Sequence, residues 1–184
     1  MSDNVVLASG SPRRSDLLRS VGLKLEILPK PIDETPYPQE APVAFAERMA
    51  TEKASHVVAY AIAADTVVHI DGVTLGKPES VEQAIEMLTM LSGRGHYVTT
   101  GVCMGPAERR ETFSVTTEVF FRPLSDGEIE RYARSLDPMD KAGAYGIQSG
   151  AAGFVERIIG SYTNVVGLPL AQVVSKLQSD GKMG

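Results

Sequence analysis

The 184-residue sequence contains one cysteine, no tryptophan and three histidines. The lone thiol, Cys103, excludes an internal disulfide framework and suits a reducing compartment. It sits in the apolar, strand-like run Gly101-Val102-Cys103-Met104, where a thiol serves as a small buried hydrophobe. His56, His69 and His96 are scattered and no His-Glu-x-x-His occurs, so no zinc site is expected. Positive charge is short as well: 18 lysines and arginines against 23 acidic residues give a net charge of -5 and a pI of about 5.2. Surfaces that grip a nucleic-acid backbone are usually basic. No nucleic-acid partner is therefore expected, and any cationic site must be local and sized for a small anion. No apolar run reaches the ~18 residues of a membrane-spanning helix. Met1-Ser2-Asp3-Asn4 carries no basic targeting region. These absences point to a cytoplasmic protein with no membrane partner.

What is present is an ordinary globular composition, 43% hydrophobic and 22% charged. The length suits a single domain over residues 1–184, or one compact unit with two lobes. Val5-Val6-Leu7-Ala8 reads as a buried strand that runs into Ser9-Gly10-Ser11. Pro12 opens a helix with Ser11 as N-cap, and Gly22 closes it. Leu23 to Leu28 reads as a second strand. Five of the eleven prolines fall within 29–42, which makes that stretch an extended, semi-rigid loop. An amphipathic helix is expected from about Val43 to Tyr60, then a strand from Ile62 to Ile70. Asp71-Gly72 is a hairpin-type turn returning through Val73-Thr74-Leu75. Ser80 with Gln83 caps a helix to Leu91, and Ser125 with Glu128 caps another to about Ser135. Val98 to Met104 and Glu111 to Phe121 form a second hairpin, Phe154 to Ile159 a last strand, and Pro169 starts a terminal helix. Helices and hairpins in this order predict an α/β fold with a mixed sheet flanked by helices.

Four segments have the composition of a site. Ser9-Gly10-Ser11-Pro12-Arg13-Arg14 joins a strand to a helix N-terminus, where free N–H groups and the positive helix end favour anions. Two guanidinium forks there suit a polyphosphate. No Walker A or Gly-x-Gly-x-x-Gly loop is present. Asp65-Thr66 interrupts an apolar strand, and a carboxylate there is costly to bury unless it is paired or faces a ligand. The Asp71-Gly72 turn can return Lys77 toward it. Asp33-Glu34 lies in the proline-rich loop, where acidic residues are ordinarily solvated but can also hold Mg²⁺. Glu47, Arg48 and Lys53 fall on the polar side of the long helix, the usual place for solvated charge. Gln148 closes Asp140-Lys141-Ala142-Gly143-Ala144-Tyr145-Gly146-Ile147-Gln148, and its amide complements an imide edge such as that of uracil or thymine.

Six blocks in order carry a resemblance: Leu7 to Arg14, Ala64-Asp65-Thr66-Val67-Val68, Leu75-Gly76-Lys77-Pro78, Leu91-Ser92-Gly93-Arg94, Asp140 to Gln148 and Ser161 to Pro169. Together they resemble the Maf family of house-cleaning nucleotide pyrophosphatases over about residues 5–177. The resemblance implies an inosine-triphosphate-pyrophosphatase-like fold, a mixed α/β sheet with two lobes around a central cleft. It implies hydrolysis of a nucleoside triphosphate at the α-phosphorus, giving monophosphate and pyrophosphate, with a divalent cation, Mg²⁺ or Mn²⁺, as cofactor. Asp65 and Lys77 take the catalytic positions. Ser9, Arg13 and Lys53 take the phosphate-binding ones, and Asp65 with Glu34 the metal-binding ones. Arg14, Thr66 and Gln148 fall on the positions tied to substrate choice and resemble the branch acting on dTTP and UTP. A homodimer is the family expectation. Two other functions remain open from sequence: a nucleotide-binding regulator of septum formation, and the same chemistry on a purine or damaged nucleotide. The tail Ser179–Gly184 matches nothing in the family and is expected to fray.

Overall fold

A computed structural model describes residues 5–183. The expectation drawn from Met1-Ser2-Asp3-Asn4 lies outside the described residues, as does Gly184 of the tail. The elements are β1 (Val5–Leu7), α1 (Pro12–Ser20), β2 (Leu25–Ile27), α2 (Pro42–Ala54), β3 (Tyr60–Ile70), β4 (Val73–Leu75) and α3 (Val81–Leu91). They continue with β5 (Gly95–Gly105), β6 (Glu111–Phe121), α4 (Asp126–Ala133), β7 (Val155–Ile159), α5 (Tyr162–Val166) and α6 (Leu170–Ser179). Hydrogen bonding joins the strands in the order β2-β1-β3-β5-β6-β7, with β4 on β3, a mixed sheet of seven strands.

The chain forms two compact units. The first holds the described residues up to Thr66, Thr100–Val115 and those from Gly167 onward. In it β1 runs parallel to both neighbours, Val5 opposite Leu25 on one side and Tyr60 on the other. The parallel centre is covered on both faces, which is why β1 reads as a continuous apolar run and not an alternating one. Val5, Leu7, Ile62, Ala64 and Val102 turn to one face and pack with Leu18 of α1 and Val173 and Leu177 of α6. Val6, Ala8, Ala61, Ala63 and Cys103 turn to the other and meet Ala50 and Ala54 of α2. Alanines on that face let α2 lie close. A methyl group on Gly101 would come within 2.4 Å of the Ala46 carbonyl, so only glycine fits there. The expected burial of Cys103 holds.

The second unit comprises Val67–Thr99 and Thr116–Val166. Its core joins Leu88 and Leu91 of α3, Ile129 and Ala133 of α4, and an aromatic cluster of Phe121, Tyr132, Tyr145 and Phe154. His96 is fully buried among them, edge-on to Phe121 and Tyr145. The Asp71-Gly72 turn takes positive φ at both residues, 52° and 78°, as the right-handed twist of a tight hairpin demands. It returns β4 antiparallel to β3, with Val68 opposite Leu75.

Several boundaries move from the sequence reading. The helix expected to reach Tyr60 stops at Ala54, because Val57 turns back onto the Ala54 carbonyl and Tyr60 is already opposite Val5 in the sheet. Ser11 takes the extended backbone of an N-cap but makes no side-chain capping bond. Its own N–H donates instead to Ser9 Oγ at 3.3 Å. Helix α5 was not foreseen: five residues are too few for periodicity to register, although Ser161 Oγ accepts from Asn164 N as a short cap does. The tail is ordered through Met183. Gly181 N donates to Gln178 O and Lys182 N to Leu177 O, the two bonds of a Schellman stop, and Tyr60 Oη donates to Asp180 at 2.6 Å.

Candidate active site

The site residues of the first unit follow from the period-two alternation of β3. Asp65 lies on the same face as Ala61 and Ala63, which pack against α2. Thr66 lies on the face of Ile62 and Ala64, which packs against α1 and α6. Adjacent polar residues are thereby sent to opposite sides of the sheet. Both are half-buried, in a strand whose preceding five residues are fully buried.

On the α2 face, Lys53 Nζ donates to Asp65 Oδ1 at 2.6 Å and pairs with Glu34 Oε1 at 2.7 Å. Lys53 and Asp65 each keep 14% of their side-chain surface exposed, and Glu34 keeps 48%. One ammonium thus bridges a strand carboxylate and a loop carboxylate, and the two oxygens lie no more than about 5 Å apart. The expectation of a solvated Lys53 is overturned, because the short side chains of α2 bring its last turn down onto β3. Glu34 is half-exposed, and Asp33, though exposed, accepts the Thr35 N–H at 2.9 Å in an Asx turn.

On the α1 face, Arg14 organises a second cluster. Its Nε donates to the Gly167 carbonyl at 2.8 Å, Nη1 to Ser9 Oγ at 3.1 Å and Nη2 to Thr66 Oγ1 at 3.0 Å. Thr66 Oγ1 lies 2.9 Å from Thr100 Oγ1. Ser9 ends the apolar run of β1 with 7% of its surface exposed. Burial lowers the Arg14 guanidinium from its ordinary value; Asp65 opposes this, Arg13 reinforces it, and Glu34 opposes it. The group still stays charged at any physiological pH. Arg13, half-buried in the first helical turn, sets a second positive charge at the α1 N-terminus.

The second unit carries Lys77 and Gln148. Lys77 is exposed, two residues past the end of β4. The turn before it is tied down where Gly143 N donates to the Gly76 carbonyl at 3.0 Å. Gly143 takes φ 69°, and a Cβ there would meet Val68 at 2.8 Å, so both conformation and space require glycine. Gln148 is exposed in the turn Gly146–Ser149. That turn is held by Asp137, whose Oδ2 accepts from Tyr132 Oη and Ser149 Oγ, each at 2.6 Å.

A family profile, "Maf-like protein", matches residues 4–180. The chain belongs to the Maf family. A relative from Geobacter metallireducens, named dTTP/UTP pyrophosphatase, is 47% identical over 189 residues, covering 99% of this chain and 98% of that protein. Relatives of the same name from Syntrophomonas wolfei and Myxococcus xanthus are also 47% identical, covering 95% and 96% of this chain and 96% and 92% of theirs. Among solved structures, a Ham1 protein from Staphylococcus aureus aligns with a TM-score of 0.55 at 14% identity, over 96% of this chain and 99% of that one. One from Coxiella burnetii aligns at 0.54 and 16%, over 96% and 98%. At these identities the likeness is of fold alone. It is the inosine-triphosphate-pyrophosphatase-like mixed α/β fold that the motifs implied.

Within the first unit of this Maf chain lie seven of the residues singled out in the sequence. Asp65, Lys53 and Glu34 form one cluster, Ser9, Arg14 and Thr66 the other, and Arg13 lies beside Arg14 on α1. Sequence reasoning missed Thr100 and the Gly167 carbonyl, which complete the Arg14 cluster. Gly167 sits inside the block Ser161 to Pro169, where the glycine itself was the available signal; its φ of 130° is one that favours glycine.

Proposed function

We propose that this protein hydrolyses the nucleoside triphosphates dTTP and UTP to the monophosphate and pyrophosphate, by attack of water on the α-phosphorus. The observation that carries this reading is the Lys53 ammonium held between the Asp65 and Glu34 carboxylates at 2.6 and 2.7 Å. A protein that only bound nucleotides would need cations for the phosphates, but no carboxylate half-buried in a strand to accept a proton from water. The name shared by relatives 47% identical over nearly the whole chain supports the substrate class.

Asp65 is assigned as the proton acceptor for the attacking water. Ser9, Arg13 and the N–H groups at the start of α1 bind the phosphates, and Lys53 and Lys77 stabilise charge developing in the transition state. A divalent cation, Mg²⁺ or Mn²⁺, fits the donor chemistry. Two carboxylate oxygens within about 5 Å make the kind of partial shell that Mg²⁺ completes with water and substrate phosphates. No group of three or more His, Cys, Asp or Glu side chains that could hold a metal exists among the described residues. Asp65 and Glu34 would hold the ion, which when bound supplies neutralisation of phosphate charge. Thr66 and Arg14 shape selectivity from the first unit, and Gln148 offers the amide that matches an imide edge.

The test is one assay of the purified protein against a panel of ribo- and deoxyribonucleoside triphosphates with Mg²⁺ or Mn²⁺, detecting pyrophosphate and orthophosphate separately. Pyrophosphate from dTTP and UTP is the expected product. Orthophosphate as the direct product rejects the α-phosphorus mechanism, and preference for a purine rejects the substrate assignment.

A further inference from the structure

The proline-rich loop that carries Glu34 has no regular structure from Leu28 to Ala41, yet one point on it is heavily tied. Arg48, on α2, donates from Nε to Glu40 Oε1 at 2.6 Å and from Nη2 to Glu40 Oε2 at 2.7 Å, a bidentate pair. The same Nη2 reaches the Thr35 carbonyl at 3.1 Å, one residue past Glu34. The guanidinium lies over the Tyr37 ring at 3.9 Å, and Tyr37 N donates to Glu40 Oε2 at 2.9 Å. Only 17% of the Arg48 side chain and 9% of the Glu40 side chain is exposed. This is not the solvated helix face that the sequence suggested.

We propose that Arg48 and Glu40 are positioning residues of the active site, a clamp that fixes the loop so that the Glu34 carboxylate is presented beside Asp65 on Lys53. Without the clamp, a stretch with no backbone ladder would lose its ties to α2 at Thr35 and Glu40, on either side of which the chain has no regular structure. Arg48 and Lys53 sit on the same helix, so loop and lysine share one frame. The Arg48 fork draws the Glu40 carboxyl down to about 2, which keeps the pair ionised throughout the working pH range. The inference rests on the assignment of Glu34 as a cation ligand in the proposed pyrophosphatase.

Groups that orient a metal ligand from behind typically change metal affinity or activity by about 10–100-fold when removed. Arg48→Met and Glu40→Gln are therefore expected to weaken Mn²⁺ affinity about 10- to 100-fold. The affinity is read by calorimetric titration of Mn²⁺ into protein saturated with an α,β-methylene analogue of UTP. At saturating Mn²⁺, kcat should return to within a few-fold of wild type. Arg48→Lys, which keeps the charge but loses the fork, should fall between. Glu52→Gln removes the other, more exposed partner of Arg48 (3.0 Å) and should leave Mn²⁺ affinity unchanged within twofold. Circular dichroism and thermal melting identify any variant that does not fold; Glu40→Gln, which leaves every donor of Arg48 in place, then decides the matter. Unchanged Mn²⁺ affinity, or a loss of kcat that excess Mn²⁺ does not recover, overturns the clamp. If the wild-type protein turns over no triphosphate, it is the pyrophosphatase reading that fails.

Discussion

Replacing Asp65 by Asn keeps the side-chain shape and removes one charge, so it separates chemistry from folding. The Lys53–Asp65 contact is 2.6 Å long and 14% exposed on each side. A hydrogen bond to a charged partner contributes about 1.5–3 kcal/mol, and the amide oxygen of Asn retains part of that. Removing one partner of a buried ion pair can cost about 3–5 kcal/mol, because it strands the other charge. Here Glu34 remains 2.7 Å from Lys53, so the ammonium is not stranded. The expected loss of stability is therefore about 1–2 kcal/mol. At about 2–4 °C per kcal/mol for a chain of this size, that is a fall of a few degrees in melting temperature. Catalysis should fall much further. Loss of a positioned base removes about 10²- to 10⁴-fold in rate, and Asp65 is also assigned to the cation. A decrease of about 10³-fold in kcat, equivalent to about 4 kcal/mol of barrier, is the expected result. The assay is pyrophosphate release from UTP and dTTP with Mg²⁺, alongside a melting curve of the same preparation. A variant within tenfold of the wild-type rate refutes the role of Asp65, as does a rate loss explained by unfolding at the assay temperature.

Other consequences can be checked on the same protein. Burial draws the His96 imidazole down to about 4 from an ordinary 6.5. The unfolded chain therefore binds a proton that the native one refuses, and this stability is complete above about pH 6.5 and lost as pH falls toward 4. Denaturant titrations should show about 2 kcal/mol less stability at pH 5 than at pH 7.5 from this group, and His96→Gln should flatten that slope. Gly101→Ala drives a methyl group into the α2 backbone at Ala46, so a loss of about 3 kcal/mol is expected in thermal or chemical unfolding. Gln148→Ala should lower kcat/KM for UTP about tenfold, the scale of 1.4 kcal/mol. An unchanged kcat/KM removes Gln148 from the base contacts.

The Asp65-Thr66 pair was legible in sequence because a carboxylate inside an apolar strand demands a reason, and the reason is local to the strand. Its partner was harder to read. Helical periodicity from Val43 carried on to Tyr60, and in that reading Lys53 lies mid-helix on a solvated face. The helix in fact ends at Ala54, so Lys53 sits in its last turn, above a sheet face lined by Ala61 and Ala63. Small residues on both surfaces decide how near α2 lies, and that is a property of packing between elements, invisible to a pattern read along one of them. Glu34 was named in the sequence, but its placement on Lys53 was hidden for the complementary reason. Its loop has no period at all, and what holds it is Arg48, thirteen residues beyond the Thr35 carbonyl that it binds.

The paired arginines show how a motif can be right while the division of labour within it stays open. Arg13 and Arg14 are neighbours on a helix, about 100° apart around its axis, so the two side chains leave it in different directions. Arg14 is the one turned inward. Three of its five N–H groups are directed at Ser9, Thr66 and Gly167, so a base edge could meet at most the remainder. Under the proposed function, Arg14 acts on substrate choice largely through where it holds the Thr66 and Ser9 hydroxyls. A single guanidinium fixing a strand end, a mid-strand threonine and a loop carbonyl also explains why lysine would be a poor substitute. An ammonium is a compact point charge and cannot reproduce the planar fork. Positive charge at a helix N-terminus, unfavourable by itself, is tolerated where Arg14 is absorbed into this network.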